Sequence, residues 1–197
     1  MKGEEKILYL AKQNNGYVTT KMVEDSKISR RFLGFMVKEK KLEKIDYGIY
    51  TLPGESEDMY YILQNKSKNI VFSHMTALYF HNLCNRLPHI IDLTVTDTYR
   101  GSLQKRLDIN MFRVKTEYIN LGIINVKSPF GNEIKIYDIE RSICDIIKNK
   151  KDIELELFNK AIRGYYSSKN KDFVKLMEYA KKFKLEKEVL ATFEVLL

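Results

Sequence analysis

The sequence predicts an α+β protein: an N-terminal winged helix-turn-helix followed by a mixed α/β domain that ends in several helices. Three observations lead there. The first 57 residues hold short runs of helical spacing and then two strand-like runs around a glycine turn. Pro53-Gly54-Glu55-Ser56-Glu57 is a turn-rich break. Beyond it, strand alternation gives way to amphipathic helical segments. The expected domains are therefore residues 1–57 and 58–197.

Taken in order, Ile7, Leu10 and Ala11 share a helical face, and Asn14-Asn15-Gly16 stops the run with residues tolerant of positive φ. Thr19 is placed to cap a short helix over Thr20 to Asp25, and Ser26-Lys27-Ile28 forms a tight turn. Ser29 then caps a third helix, with Ile28 and Leu33 spaced as a hydrophobic staple. Phe32 with Met36 and Leu33 with Val37 are i,i+4 pairs facing inward, which leaves Arg30, Arg31, Gly34 and Lys38 outside. Leu42 to Ile45, the turn Asp46-Tyr47-Gly48, and Ile49 to Leu52 make a wing.

In the second domain an aromatic-rich helix is expected from Ser73 to Cys84. A strand follows over Ile91 to Thr96, with Ile91, Leu93 and Val95 on one face and Asp92, Thr94 and Thr96 on the other. Gly122 to Lys127 and Glu133 to Tyr137 read as a hairpin. Asp138 caps a helix with Ile139, Ile143, Ile146 and Ile147 inward. Three amphipathic segments follow, carrying Phe158 with Ala161 and Ile162, Phe173 with Leu176 and Ala180, and Val189 with Leu190 and Phe193.

Composition fits this picture, with 44% hydrophobic and 30% charged residues and only 9 Gly and 3 Pro, which excludes a disordered chain. No run approaches the roughly 18 apolar residues of a membrane span, and Met1 to Leu10 lacks a secretory pattern, so a cytoplasmic protein without membrane contact is expected. Cys84 and Cys144 lie far apart without C-x-x-C spacing and read as buried thiols. A formal charge of +8 favours an anionic partner.

The placement of that charge says more. From Ser26 to Lys44 seven basic residues stand against two acidic ones. A recognition helix turns its N-terminal residues toward base edges, where Arg30 and Arg31 fall and can engage guanine bidentately. Lys27, Ser29 and Lys38 suit phosphates, Lys41 is a further DNA-contact candidate, and Lys44 with Tyr47 could reach the backbone or minor groove from the wing. Phe35 fits either the groove, beside a thymine methyl, or the core. Charges on such a domain can also be merely solvated, but the helix lengths, three-residue turn, staple and hairpin in this order favour a DNA reader.

Catalytic chemistry finds little support. His74 and His81 are seven residues apart, about 10 Å along a helix and too far to share a metal, and His89 sits in a loop. Gly101-Ser102 with Asp108-x-Asn110 resembles a nucleotidyltransferase pattern, but the second carboxylate is an amide. No phosphate-binding glycine loop or nucleophile elbow occurs. No catalytic residue, metal or cofactor is expected. On spacing alone Arg141 and Asp145 read as an i,i+4 surface pair worth about 0.3–0.5 kcal/mol.

Ser73-His74-Met75-Thr76-Ala77-Leu78-Tyr79, Leu87-Pro88 and Tyr137-Asp138-Ile139-Glu140-Arg141-Ser142-Ile143-Cys144-Asp145, behind a helix-turn-helix ending in Gly48-Ile49-Tyr50, together resemble the AbiEi family over nearly the whole chain. The resemblance implies an antitoxin of a type IV toxin-antitoxin system linked to phage abortive infection. It implies an N-terminal domain that represses its own operon at promoter inverted repeats. A C-terminal domain would relieve a nucleotidyltransferase-like toxin without direct, stable binding. On this basis His74, Thr76, Asp138, Glu140, Arg141 and Asp145 become candidates for antitoxin function. An enzyme that modifies the toxin or its nucleic-acid substrate is the alternative. No coiled-coil seam is visible, so a monomer in solution that pairs on DNA is expected.

Overall fold

The computed structural model describes residues 3–84 and 89–194. It is α+β and divides into two compact units, Met1–Lys68 with Val126–Ile134, and Asn69–Asn125 with Lys135–Leu197. The first unit thus runs past the boundary expected after Glu57 and takes in a piece of chain from the β-hairpin of the second half.

The first unit begins with α1 (Gly3–Gln13), which buries Ile7 and Ala11. Asn15 and Gly16 adopt positive φ, and the Gly16 N–H reaches back to the Ala11 carbonyl at 2.9 Å, closing the helix. β1 (Tyr17–Thr19) leads into α2 (Thr20–Asp25), whose cap is the expected one: the Thr19 hydroxyl accepts from Met22 N at 3.2 Å. α3 (Arg31–Lys38), β2 (Glu43–Asp46) and β3 (Ile49–Thr51) complete the winged arrangement, with an antiparallel sheet in the order β1-β3-β2. Ile7, Ala11, Val18, Val23, Ile28, Leu33, Met36 and Leu42 form its core, with both staple residues inside.

Two details depart from the sequence expectation. β1 is a strand of three residues that no periodicity announces, and it is stabilised by pairing with β3. Ser29 does not occupy the cap position of α3. Arg30 does, in helical backbone with no side-chain bond, because the chain enters through a tighter turn in which Phe32 N and Leu33 N bond to the Ser29 and Arg30 carbonyls. Ser29 Oγ lies one residue earlier and accepts weakly from Arg31 N at 3.4 Å.

α4 (Met59–Lys66) belongs to the same unit. Asp58, fully buried, caps it by accepting from Tyr61 N at 3.2 Å, and its backbone N–H donates to the Tyr17 hydroxyl at 2.6 Å. Its Oδ2 accepts from the Ser128 hydroxyl and, at 2.8 Å, from the Asn132 amide. These bonds bind the segment 128–132 into the first unit, because a buried carboxylate must find its donors inside the protein.

The second sheet is formed by β4 (Val71–Phe72), β5 (Ile91–Thr96), β6 (Ile109–Val114), β7 (Ile123–Lys127) and β8 (Glu133–Tyr137), in the order β6-β5-β4-β8-β7, with residues 126–127 of β7 and 133–134 of β8 assigned to the first unit and the rest to the second. β4 runs antiparallel to β5 and parallel to β8, and β5 is parallel to β6. α5 (His74–Phe80) is shorter than expected: Asn82 takes positive φ, and the Leu83 N–H returns to the Leu78 carbonyl at 2.9 Å. The polar face of β5 is buried, because the start of α5 covers Asp92 and Thr94.

α6 (Ile139–Lys148), α7 (Leu155–Ser167), α8 (Phe173–Phe183) and α9 (Glu186–Glu194) pack their apolar stripes together, with α6 against α5, α7, α8 and α9. Every residue from Glu140 to Ile147 is buried. Leu190 is the exception among the expected inward residues: it lies off the stripe of Val189 and Phe193 and is 52% exposed. Cys84 and Cys144 are buried free thiols.

Candidate nucleic-acid interface

α3 turns Leu33 and Met36 into the core and leaves Arg30, Arg31, Phe35 and Lys38 outside. Phe35 is 47% exposed, so the core alternative for it is not realised. Lys27, Ser29, Lys41, Lys44 and Tyr47 are exposed too. Lys27 and Lys40 both take the left-handed conformation just past a helix end, at φ 57° and 55°. Each turn is closed by a long return bond, Ile28 N to Val23 O at 3.0 Å and Lys41 N to Met36 O at 2.9 Å. Two lysines therefore bracket α3 where glycine is usual, a placement invisible to a search for glycine stops.

The charges differ in how free they are. Arg30 is 4.0 Å from Glu24 with both side chains largely in water, an ion pair of little energetic weight. Lys41 is more engaged: its Nζ donates to Glu4 at 2.9 Å, which raises its pKa, and lies 5.8 Å from the Phe35 ring centroid. On the wing Tyr47 is 91% exposed, with Lys44 Nζ 5.9 Å from its ring. Gly48, at φ +72°, permits the turn that holds Tyr47 out.

The second-unit candidates are arranged otherwise. His74, Thr76, Asp138, Glu140, Arg141 and Asp145 are all buried. The expectation of a surface Arg141–Asp145 pair is corrected here: Arg141 is 0% exposed because the segment 118–122, Tyr137 of β8 and Phe183 of α8 cover it. Its Nε donates to Asp145 at 3.1 Å and its Nη1 to the Tyr118 and Leu121 carbonyls at 2.9 and 3.0 Å. The guanidinium lies 4.1 Å from the Tyr137 ring and 4.5 Å from that of Phe183. A side chain at Gly122 would meet Arg141 Cβ at 2.8 Å, so glycine is required there by close approach as well as by its φ of +80°. Burial pushes the Asp145 carboxyl up, and the Arg141 charge pulls against that shift.

Asp138 caps α6 by accepting from Arg141 N at 2.8 Å, and its Oδ2 accepts from the Tyr179 hydroxyl and Lys175 Nζ, each at 2.9 Å. Glu140 accepts from Asp172 N at 3.2 Å, at the start of α8. Most of this string therefore ties helices together.

His74 and Thr76 belong to a separate cluster. His74 has φ 48° at the head of α5, stacks on Phe112 at 3.5 Å, and bonds Ser73 Oγ and the Asn149 amide at 2.9 and 3.0 Å. Burial holds its pKa well below the usual histidine value, so the ring is neutral. Thr76 Oγ1 accepts from Asp92 N at 2.9 Å. Asp92, which sequence reasoning assigned only to a strand face, accepts from Met75 N and Asn110 Nδ2, and burial pushes its carboxyl up to about 6. It lines a cavity of about 260 Å³ with Asn110, Phe112, Asp152 and Glu154.

Among the described residues no three His, Cys, Asp or Glu side chains are grouped to hold a metal, and no helix is long and apolar enough to cross a membrane. Leu87-Pro88 of the family-like string lies outside the described residues.

Residues 5–53 match the family model described as a transcriptional regulator, AbiEi antitoxin. This is the family that the sequence resembles, and the match supports a role as antitoxin and transcriptional regulator. The matched segment runs from α1 through β3 and contains all the residues assigned above to DNA; it spans less than half of the chain and none of the second unit. Among solved structures, the RV2827C protein from Mycobacterium tuberculosis aligns at 11% identity and TM-score 0.49, over 95% of this chain and 82% of that one. No curated protein matches the sequence.

Proposed function

We propose that this chain is the antitoxin and autorepressor of a type IV toxin-antitoxin operon that serves abortive infection against phage. The reading rests chiefly on one observation: the segment matching the AbiEi regulators is the segment whose third helix and wing present Arg30, Arg31, Lys38, Lys44 and Tyr47 outward. α3 enters the major groove, with Arg30 and Arg31 toward base edges and Lys27, Ser29 and Lys38 on phosphates. The wing places Lys44 and Tyr47 on the adjoining backbone. Two copies bind an inverted repeat in the promoter, each arriving as a monomer. The second unit counters a nucleotidyltransferase-like toxin in the cytoplasm without forming a stable complex with it.

The buried candidates bear on how it could do so. Arg141 commits its Nε to Asp145 of the same helix and its Nη1 to the Tyr118 and Leu121 carbonyls, leaving only Nη2 without a partner among the described residues, and Asp138 is taken up by Tyr179 of α8, which favours a binding protein over an enzyme acting through those groups.

Retardation of the native upstream promoter fragment, compared with unrelated duplex of equal length, tests the repressor reading with the full chain. Specific retardation is expected, with a slope of log affinity against log salt near about −4 to −5 for some five phosphate contacts. Equal retention of both duplexes, or a flat salt response, would make the repressor reading wrong. Co-expression with the adjacent toxin tests the second half: growth should be restored without co-purification of the two proteins.

A further inference from the structure

Beyond the DNA-reading segment, the second unit contains a cavity of about 380 Å³ lined by Arg113, Lys115, Lys148, Lys182 and Lys184, with Asp97 as its one carboxylate. Tyr118, Phe183 and Val114 supply the rest of the lining. We propose that this cleft binds the phosphate chain of a nucleoside triphosphate, with Tyr118 and Phe183 forming the wall beside the base.

Charge is the first argument. The cations come from the end of β6, the turn after it, and the last turns of α6 and α8, so residues distant in sequence converge on one cavity. Some of that charge answers the helix ends: each C-terminus carries about half a negative charge, so two of them offset about one of the five cations. Asp97 offsets another. An excess remains inside a concave site, where low-dielectric walls concentrate its field on an anion. Lys115, Lys148, Lys182 and Lys184 have no ion-pair partner among the described residues.

Pre-organisation is the second. Arg113 Nη1 donates to the backbone carbonyls of Thr96, Asp97 and Tyr99 at 3.4, 3.1 and 3.2 Å. The guanidinium is thus held in place by neutral acceptors, which leave its charge unspent. The aromatic wall is fixed from behind: Tyr118 and Phe183 meet edge-on at 5.3 Å, and Arg141 packs on the Phe183 ring while donating to the Tyr118 carbonyl at 2.9 Å. A site ordered before its ligand arrives avoids the entropy of assembling it.

Shape selects the ligand. Cations that line one cavity suit a compact polyphosphate, whereas a duplex backbone is met by charges spread along a surface at the spacing of successive phosphates.

Isothermal titration of the full chain with ATP, at low salt and without metal, tests the site. Binding in the micromolar range is expected, competed by inorganic triphosphate. Lys148→Ala with Lys182→Ala should weaken it by at least about tenfold, since each removes a charge-assisted contact. Lys115→Ala with Lys184→Ala is a second, independent pair that should do the same. Arg30→Ala with Arg31→Ala should leave it unchanged. The proposal is overturned if ATP shows no binding at millimolar concentration, or if both lysine pairs bind it as tightly as the parent. It is overturned equally if triphosphate fails to compete, or if the pairs impair only duplex DNA retention.

Discussion

α3 and α6 each begin with arginine near the N-terminus and an apolar stripe behind it, yet the structure uses the two arginine sets in opposite ways. On α3, Arg30 and Arg31 stand in water, and among the described residues they make no ion pair shorter than that of Arg30 with Glu24 at 4.0 Å. On α6, Arg141 is enclosed, and its Nε and Nη1 donors are taken up by Asp145, Tyr118 and Leu121. Residue type does not separate a contact for a partner from a contact for the fold. What separates them is whether the guanidinium is enclosed by the protein with most of its donors bonded there, only Nη2 of Arg141 lacking a partner among the described residues.

The largest effect that tests this contrast is on stability. Arg141→Ala leaves Asp145 buried without its counter-charge and two carbonyls without donors, and should cost about 3–5 kcal/mol by urea unfolding. Arg141→Met combined with Asp145→Leu removes both charges and should recover most of that loss. A cost below about 1 kcal/mol for the single change would show that the inward arginine is no more structural than the outward ones.

Arg30→Ala with Arg31→Ala should do the reverse. Operator affinity should fall by roughly 100-fold or more while stability stays within about 0.5 kcal/mol. Full operator binding by this double variant would remove the recognition-helix assignment.

A third test uses a buried acid. Asp92 titrates near 6 in the folded protein against an ordinary value of 3.8. The folded state therefore keeps a proton that the unfolded chain sheds first. Its stability contribution is fully present below about pH 4 and is lost as pH rises through 6, a change of about 3 kcal/mol. His74, held neutral, acts in the opposite direction, favouring the unfolded chain below its ordinary value of 6.5. The measurement is therefore the difference between parent and Asp92→Asn, followed by urea unfolding from pH 4 to 7. The parent should gain on the variant as pH falls, and a constant difference would contradict the assignment.

The smallest effect concerns backbone. Lys40 holds φ 55°, so Lys40→Gly should stabilise the protein by about 0.5–1 kcal/mol in thermal unfolding. A loss of stability would mean that the lysine side chain outweighs its conformational cost.

The winged arrangement was legible because its signals are local. The Thr19 cap, the Ile28–Leu33 staple and the Gly48 turn each lie within a few residues of what they specify. β1 and β4 were not, since strands of three and two residues owe their existence to a partner far along the chain. β6 and α4 carry no strong periodicity and were missed as well. The same limit applied to the sites. Exposure of α3 followed from its own stripe, whereas the burial of Arg141 depends on the segment 118–122, on Tyr137 and on Phe183 of α8, and has no trace in the α6 sequence. Asp92 acquires its raised pKa only where α5 covers β5.

The attachment of residues 126–134 to the first unit also sets the terms for re-engineering the protein. A chimera made by splicing residues 1–57 onto a foreign effector would carry α3 but strip out Asp58 and its three donors, Tyr61, Ser128 and Asn132. Because the polypeptide passes between the units three times, the first unit is not a detachable bead at the end of a string. It would have to be transplanted with its distant tip, as a discontinuous graft.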